Sequence, residues 1–333
     1  MDREQHELQF LGFFGIFKES YKIVLTWRKI FSQITLALIL PLSLIFLAHF
    51  QVSQILFFKI LNNEDRLSDT DVNNREYGKL KHIISSQWAG FWLFKVAYFT
   101  FSLILLLLST AAVVYTIASA YTGRSISFKK VMSVVPRVWK RLMVTFLWSF
   151  AIVLVYHVVA IGLLVLLILF LGFSSAGIIF VALFLIVYVI GIVYIGIIWH
   201  LASVVSVLEE VYGIKAMKKS RILIKGKTGL AVAYFLVLGF IFGGIEFLFE
   251  NFVVLDFSGS LALRIGVGII CFLLLFKLIL FGLVIQTLIY LVCKSYHHEN
   301  IDKPSLSEHL EGYLGHYVQL KSTRDIQLGE AHV

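Results

Sequence analysis

Residues 103–120 read LILLLLSTAAVVYTIASA. The run shows no strict alternation of apolar and polar residues, so it is not the half-buried strand that a period of two would signal. It contains no Asp, Glu, Lys or Arg. As a helix it spans about 27 Å at 1.5 Å per residue, close to the ~30 Å hydrocarbon core of a bilayer. Lipid tolerates little exposed backbone, and a helix pairs its amides and carbonyls within itself. The run reads as a transmembrane helix.

The rest of the chain repeats the pattern. Its 333 residues are 59% hydrophobic and 15% charged, with three prolines, whereas a soluble domain is nearer half apolar and a quarter charged. Six apolar runs stand out, at 31–50, 90–119, 143–171, 176–206, 230–250 and 262–292. The expected fold class is an all-α integral membrane protein with six transmembrane helices. Pro41, inside the first run, removes a backbone hydrogen bond and predicts a kink. At the N-terminus, Asp2, Glu4 and Glu7 occupy the region that is basic in a signal peptide, so insertion is expected to rely on internal spans. Cys271 and Cys293 share one run, about 33 Å apart along a helix, and cannot pair with each other there.

The distribution of charge sets the expected topology. Net charge is +9, but the basic residues border apolar runs, a placement that suits anionic headgroups rather than nucleic acid. One connection carries Arg124, Lys129, Lys130, Arg137, Lys140 and Arg141 with no acidic residue. Another carries Lys215, Lys218, Lys219, Arg221, Lys225 and Lys227 against Glu209 and Glu210. In the 51–89 connection, Lys59, Arg66, Arg75, Lys79 and Lys81 are balanced by Glu64, Asp65, Asp69, Asp71 and Glu76. The positive-inside bias puts the first two connections and both termini in the cytosol, in a plasma membrane or an endomembrane. The 51–89 stretch then becomes a long extracytosolic loop. QVSQILFFKIL is expected to extend a helix there, and NNEDRLSDTDVNN to be irregular. The resulting organisation is a cytosolic N-terminus with an interfacial helix (1–30), a six-span domain (31–293) and a cytosolic tail (294–333).

Three stretches ahead of odd-numbered spans look alike: FGIFKESYKIVLTWRKIF (14–31), ISFKKVMSVVPRVWKRLM (126–143) and YGIKAMKKSRILIKGKTG (212–229). Each mixes apolar and basic positions and ends in a basic cluster. The expected unit is one interfacial helix plus two spans, used three times. Trp27 and Trp139 precede Arg28–Lys29 and Lys140–Arg141, an interfacial placement in which the ring is half buried and its N–H hydrated. The GKT at 226–228 is no phosphate-binding loop, because the Gly required five residues before Gly226 is Arg221.

The third stretch supports two readings. Ile214, Met217 and Ile222 give partial apolar spacing, while Lys215, Lys218 and Lys219 can snorkel to water or lipid phosphates. Lys129, Lys130, Lys140, Arg141, Arg221, Lys225 and Lys227 complete the interfacial candidates. Glu209 and Glu210 are expected to cap a helix or pair with Arg221. As plain architecture, the segment is an elbow that sets spans four and five. As a site, it binds anionic headgroups.

VVSVLEEVYGIKAMKKSRILIKG resembles a signature of bacterial six-span proteins and of the membrane domain attached to some glycerophosphodiester phosphodiesterases. Val207, Leu208, Glu209, Gly213, Ala216, Ser220, Leu223, Lys225 and Gly226 carry the likeness. A plant family of uncharacterised six-span transmembrane proteins is the nearer resemblance, since it also includes LSEHLEGYLGHYVQLK at 306–321 and covers nearly the whole chain. Some members bear a name implying interaction with a polyadenylate-binding protein. The resemblance to phosphodiesterases implies an architecture and transfers no catalytic residue.

Ionisable groups inside the spans are functional candidates because lipid penalises unpaired charge. Lys277 is central in the sixth span, His157 in the third, and Glu246 lies near the outer end of the fifth. A Glu246–Lys277 pair across adjacent helices is one arrangement; snorkelling by Lys277, and a neutral His157 bonded to its own helix, are the plainer ones. The scattered His, Asp, Glu and Cys residues form no zinc pattern, and no cofactor is expected. No G-x-S-x-G elbow or H-E-x-x-H helix occurs, so no enzyme activity is expected. The reading is a membrane scaffold or lipid-interacting protein; the alternative is a transporter of a small solute or lipid through the bundle. Expected partners are membrane lipids, anionic on the cytosolic face. In the tail, Ser305 and Glu308 fit a capping box ahead of a Leu306–Leu310–Tyr313–Leu314 stripe that docks on the bundle or recruits a protein.

Overall fold

The computed structural model describes residues 9–70, 75–123, 126–172, 174–255 and 259–297. The tail stripe at 306–314 lies outside them. Eight helices follow one another: α1 (Phe13–Thr26), α2 (Arg28–Ser68), α3 (Arg75–Tyr121), α4 (Phe128–Leu171), α5 (Ser175–Leu208), α6 (Ile214–Leu223), α7 (Thr228–Val254) and α8 (Leu261–Tyr296). Among the described residues no strand occurs, and all the helices but α1 and α6 are long and apolar enough to cross a membrane.

The six long helices form three antiparallel hairpins, α2–α3, α4–α5 and α7–α8. They converge at one end, here termed the basic end, where α1 and α6 also pack. The core there joins Val113 and Ile117 of α3, Val138 and Leu142 of α4, Val204 and Val205 of α5, and Leu288 and Leu291 of α8. Small residues of α3, including Ala111, Ala112 and Ala118, permit this close approach. Thr110 and Thr116 satisfy their hydroxyls on the carbonyls of Leu106 and Ala112, so these two polar side chains enter the core without unmet bonds.

Towards the far end the hairpins part. Leu47, Ile245, Phe249, Cys271 and Leu275 form a second core that ties α2 to α7 and α8. The α4–α5 hairpin stands apart, exposing Leu154, Val158, Leu183 and Val187 among many others. Its two strands of contact are held by the Tyr156 hydroxyl, which donates to the Tyr188 carbonyl at 2.9 Å. A methyl group at Gly191 would meet that hydroxyl at 2.1 Å, so only glycine leaves the ring its place.

Three features differ from the sequence reading. The 51–89 stretch is helical through Ser68 and again from Arg75, so 62–68 is not irregular. Pairing across the hairpin outweighs the polar composition: Asn63 Nδ2 donates to Gln87 Oε1 at 2.9 Å, and Trp88 Nε1 to Glu64 Oε1 at 3.0 Å. The basic segment 128–143 is no separate helix but the first turns of α4, which runs straight on through Pro136. That continuity turns Trp139 toward the bundle, and its indole N–H is buried without a partner among the described residues rather than hydrated. Near Pro41 the backbone widens into a π-turn over Thr35–Ile39, closed by the Leu40 N–H on the Thr35 carbonyl. An α-helical turn would press the pyrrolidine ring on the carbonyl four residues earlier, and the wider turn relieves that contact.

Candidate functional site

The basic end is organised around Glu209, the residue that ends α5. Its side chain is only 12% exposed. Lys219 of α6 meets one carboxylate oxygen at 2.6 Å and Lys294 of α8 the other at 3.3 Å. The Tyr290 hydroxyl donates to that second oxygen at 2.7 Å, and Arg141 of α4 donates to the Glu209 carbonyl at 2.6 Å. Four helices therefore meet on one residue. Burial alone would raise the carboxyl pKa. The Lys219 and Tyr290 hydrogen bonds and the Lys294 and Lys219 charges outweigh it, and hold the group below the ordinary carboxylate value. Arg221, the partner expected from sequence, is exposed instead; one helical turn places Lys219, not Arg221, over the carboxylate.

Beyond Glu209 the chain reverses through Gly213, whose φ of 64° and ψ of −139° suit glycine. Its N–H donates to Thr145 Oγ1 at 2.8 Å, and Thr145 also contacts Ser206 Oγ at 2.7 Å. α6 then lays Ala216, Met217, Ser220 and Leu223 into the bundle. Met217, grouped by spacing with Ile214 and Ile222, faces Ser149 instead, while Ile214 and Ile222 remain exposed beside Lys215, Lys218 and Arg221. A second glycine with positive φ, Gly226 at 85°, lies so close to Tyr296 that a side chain there would collide with the ring. The residues that carry the signature are thus mostly the parts of an elbow.

α1 has the same two-faced character. Ile16, Glu19, Ser20 and Ile23 are buried at helical spacing, and Phe13 stacks on Tyr234 of α7, whose hydroxyl donates to the Phe13 carbonyl. Outward it shows Phe14 (84% exposed), Tyr21 and Leu25, interleaved with Lys18 and Lys22. Lys129, Lys130, Lys140, Lys215, Lys218, Arg221 and Lys225 are exposed at this end, whereas Arg141, Lys219 and Lys227 are half-buried. Lys227 donates to the Gln9 carbonyl at 2.9 Å. Seven of the ten basic candidates therefore point away from the bundle, and three hold it together.

The three intramembrane candidates do not converge. His157 donates from Nδ1 to the Val153 carbonyl at 2.7 Å, one turn back on its own helix. Glu246 is half-buried on α7. Lys277 sits on the outer face of α8 and makes no ion pair with Glu246 among the described residues. Lys95 is satisfied inside the α2–α3 hairpin by His49 at 2.8 Å and Ser53 at 2.9 Å. Among the described residues no three His, Cys, Asp or Glu side chains gather as metal ligands. Sequence reasoning gave no role to His200 or Gln286, which bond at 2.9 Å between α5 and α8; the available signal was two polar residues in otherwise apolar runs.

Among the described residues this is an all-helical protein with six membrane-length apolar helices and a dense cluster of basic side chains at one end, around α1, the start of α4 and α6. The chain belongs to the family described as Domain of unknown function (DUF8558), whose model matches residues 1–331. No curated protein and no solved structure matches it.

Proposed function

We propose that this chain is a multi-pass membrane protein that acts as a lipid-interacting scaffold, with its basic end and both termini on the cytosolic side and no hydrolase activity of its own. The observation that carries this reading is the outward face of the basic end. Exposed lysines and arginines alternate there with exposed Phe14, Tyr21, Leu25, Ile214 and Ile222, the composition of helices that lie in a headgroup layer. Of the two acids at the elbow, Glu209 is buried and already paired, and Glu210 alone is exposed, so the outer charges remain in clear excess. On this reading each hairpin and the basic segment before it (α1, the start of α4, or α6) form one of three repeats. The broken α1 and α6 and the fused start of α4 are variants of the same interfacial element.

Neutralising Lys215, Lys218 and Arg221 together to Gln tests the reading. Each cation near an anionic surface contributes about 1 kcal/mol, so enrichment of anionic lipid around protein extracted in native nanodiscs should fall by about tenfold or more, with thermal stability unchanged. Equal enrichment in the variant and the parent would remove the proposal. Orientation has its own check. A cysteine in place of Thr70, at the α2–α3 tip, should react with an impermeant maleimide from outside intact cells, and one in place of Lys218 only after permeabilisation. The reverse pattern would invert the topology.

A further inference from the structure

A cavity of about 290 Å³ lies between α3, α5, α7 and α8, partly open to the surroundings and walled almost entirely by apolar groups. Its walls run from Ala231 to Phe242 on α7 and from Leu278 to Ile289 on α8. Each stretch is twelve residues, eleven steps of 1.5 Å from first to last, so the slot is about 16 Å long. That is about half the ~30 Å hydrocarbon core, the depth of one leaflet. Gly239 and Gly282 give the slot its width. Gly239 lies on the same α7 face as Phe235 and Phe242, and a Cβ there would meet nothing within 4 Å. At Gly282 a Cβ would only touch Leu238, at 3.9 Å.

The wall has one polar feature, nearer the basic end. His200 Nδ1 bonds to Gln286 Oε1 at 2.9 Å; since Oε1 only accepts, Nδ1 carries the proton. In the neutral ring, Nε2 is then an acceptor, and the Gln286 amide nitrogen keeps its donors. Neither atom has a partner among the described residues. His200 is exposed and lines this slot, which is partly open to its surroundings. Gln286 is 9% exposed. A donor and an acceptor left unmet in apolar surroundings cost free energy that a complementary ligand group recovers.

We propose that this slot binds a single long-chain fatty acid. Its carboxyl O–H donates to His200 Nε2, its carbonyl accepts from the Gln286 amide, and its tail runs past Gly282 and Gly239 toward Phe242. A carboxyl group carries its donor and acceptor on two different oxygens, matching two separate protein atoms, whereas an alcohol has one oxygen for both. The slot's length and single channel suit one chain and not a diacyl lipid. The inference rests on the membrane placement proposed above but not on the cationic face.

Photoactivatable palmitate, added to the purified full chain in detergent, is the test, with labelled peptides located by mass spectrometry. Labelling should fall on α7 and α8, and unlabelled palmitate should compete about tenfold better than the matching alcohol or phosphatidylglycerol. Gly239→Leu, which fills the tail channel, and Gln286→Leu, which removes the amide, should each reduce labelling about tenfold. Gly239→Leu should also melt no lower than the parent. If Gly239→Leu fails to fold, Gln286→Leu and a palmitate-induced rise in the parent's melting temperature decide the matter. Labelling unchanged in the variants, no melting shift, or equal competition by alcohol or phosphatidylglycerol would overturn the assignment. The Lys215, Lys218 and Arg221 variant should label like the parent, so failure of the lipid-surface reading and failure of this one are told apart.

Discussion

Replacing Glu209 by glutamine is expected to lower stability by about 2–3 kcal/mol, below most of the ~3–5 kcal/mol typical of a broken, fully buried pair. The size follows from what the charge holds. Lys219 and Lys294 lose their counter-ion, and the Tyr290 hydroxyl exchanges a carboxylate acceptor for an amide. The estimate stays at the lower side because Lys219, with 34% of its side chain exposed, can be rehydrated. The adjacent Glu210 is exposed, and Glu210→Gln should change stability by less than about 0.5 kcal/mol. Thermal unfolding in detergent, followed by tryptophan fluorescence, gives both numbers. Equal effects at the two positions would show that Glu209 is not the tie between α5, α6 and α8.

The same residue fixes a pH dependence. The folded-state pKa of Glu209 lies below its ordinary value of 4.5. The unfolded chain therefore binds the proton more readily, and the stabilisation is fully present above that value and lost as pH falls through the folded-state pKa. The gap between parent and Glu209→Gln should be constant across neutral pH and close only in acid, below about 4.5. A gap that closed between pH 5 and 8 would implicate a histidine rather than this carboxylate.

The six long helices were legible because each run carries one rule within itself: long and mostly apolar. Leu103–Ala120 satisfies it without reference to any other part of the chain, and so do the other five runs. Residues 62–68 obeyed no such rule. Their helix depends on Asn63 meeting Gln87 and Glu64 meeting Trp88, partners twenty-four positions away that composition does not reveal. Glu209 was visible as part of a signature and invisible as a tie, since Lys294 lies 85 residues further on. His200 and Gln286 were given no role for the same reason: neither has a partner until a second helix and a cavity stand beside it.

Gly213→Ala is expected to cost about 2–3 kcal/mol, and two causes contribute. A φ of 64° with ψ of −139° is outside the left-handed helical well as well as the right-handed one, a strain of about 1–3 kcal/mol for any residue with a Cβ. The new methyl group also stands 3.2 Å from Trp148 Cδ1 and 3.4 Å from Val144 Cγ1, so these side chains, both exposed, must give by a few tenths of an ångström. The two causes separate experimentally. Asparagine tolerates the left-handed helical well but not this ψ, so Gly213→Asn should be no milder than Gly213→Ala. Trp148→Ala removes the closest neighbour, and in that background the cost of Gly213→Ala should fall only by the steric part. Full recovery there would make the ring the whole reason for glycine. A persistent loss would place the reason in the backbone turn that delivers α6, and with it Lys219, to Glu209.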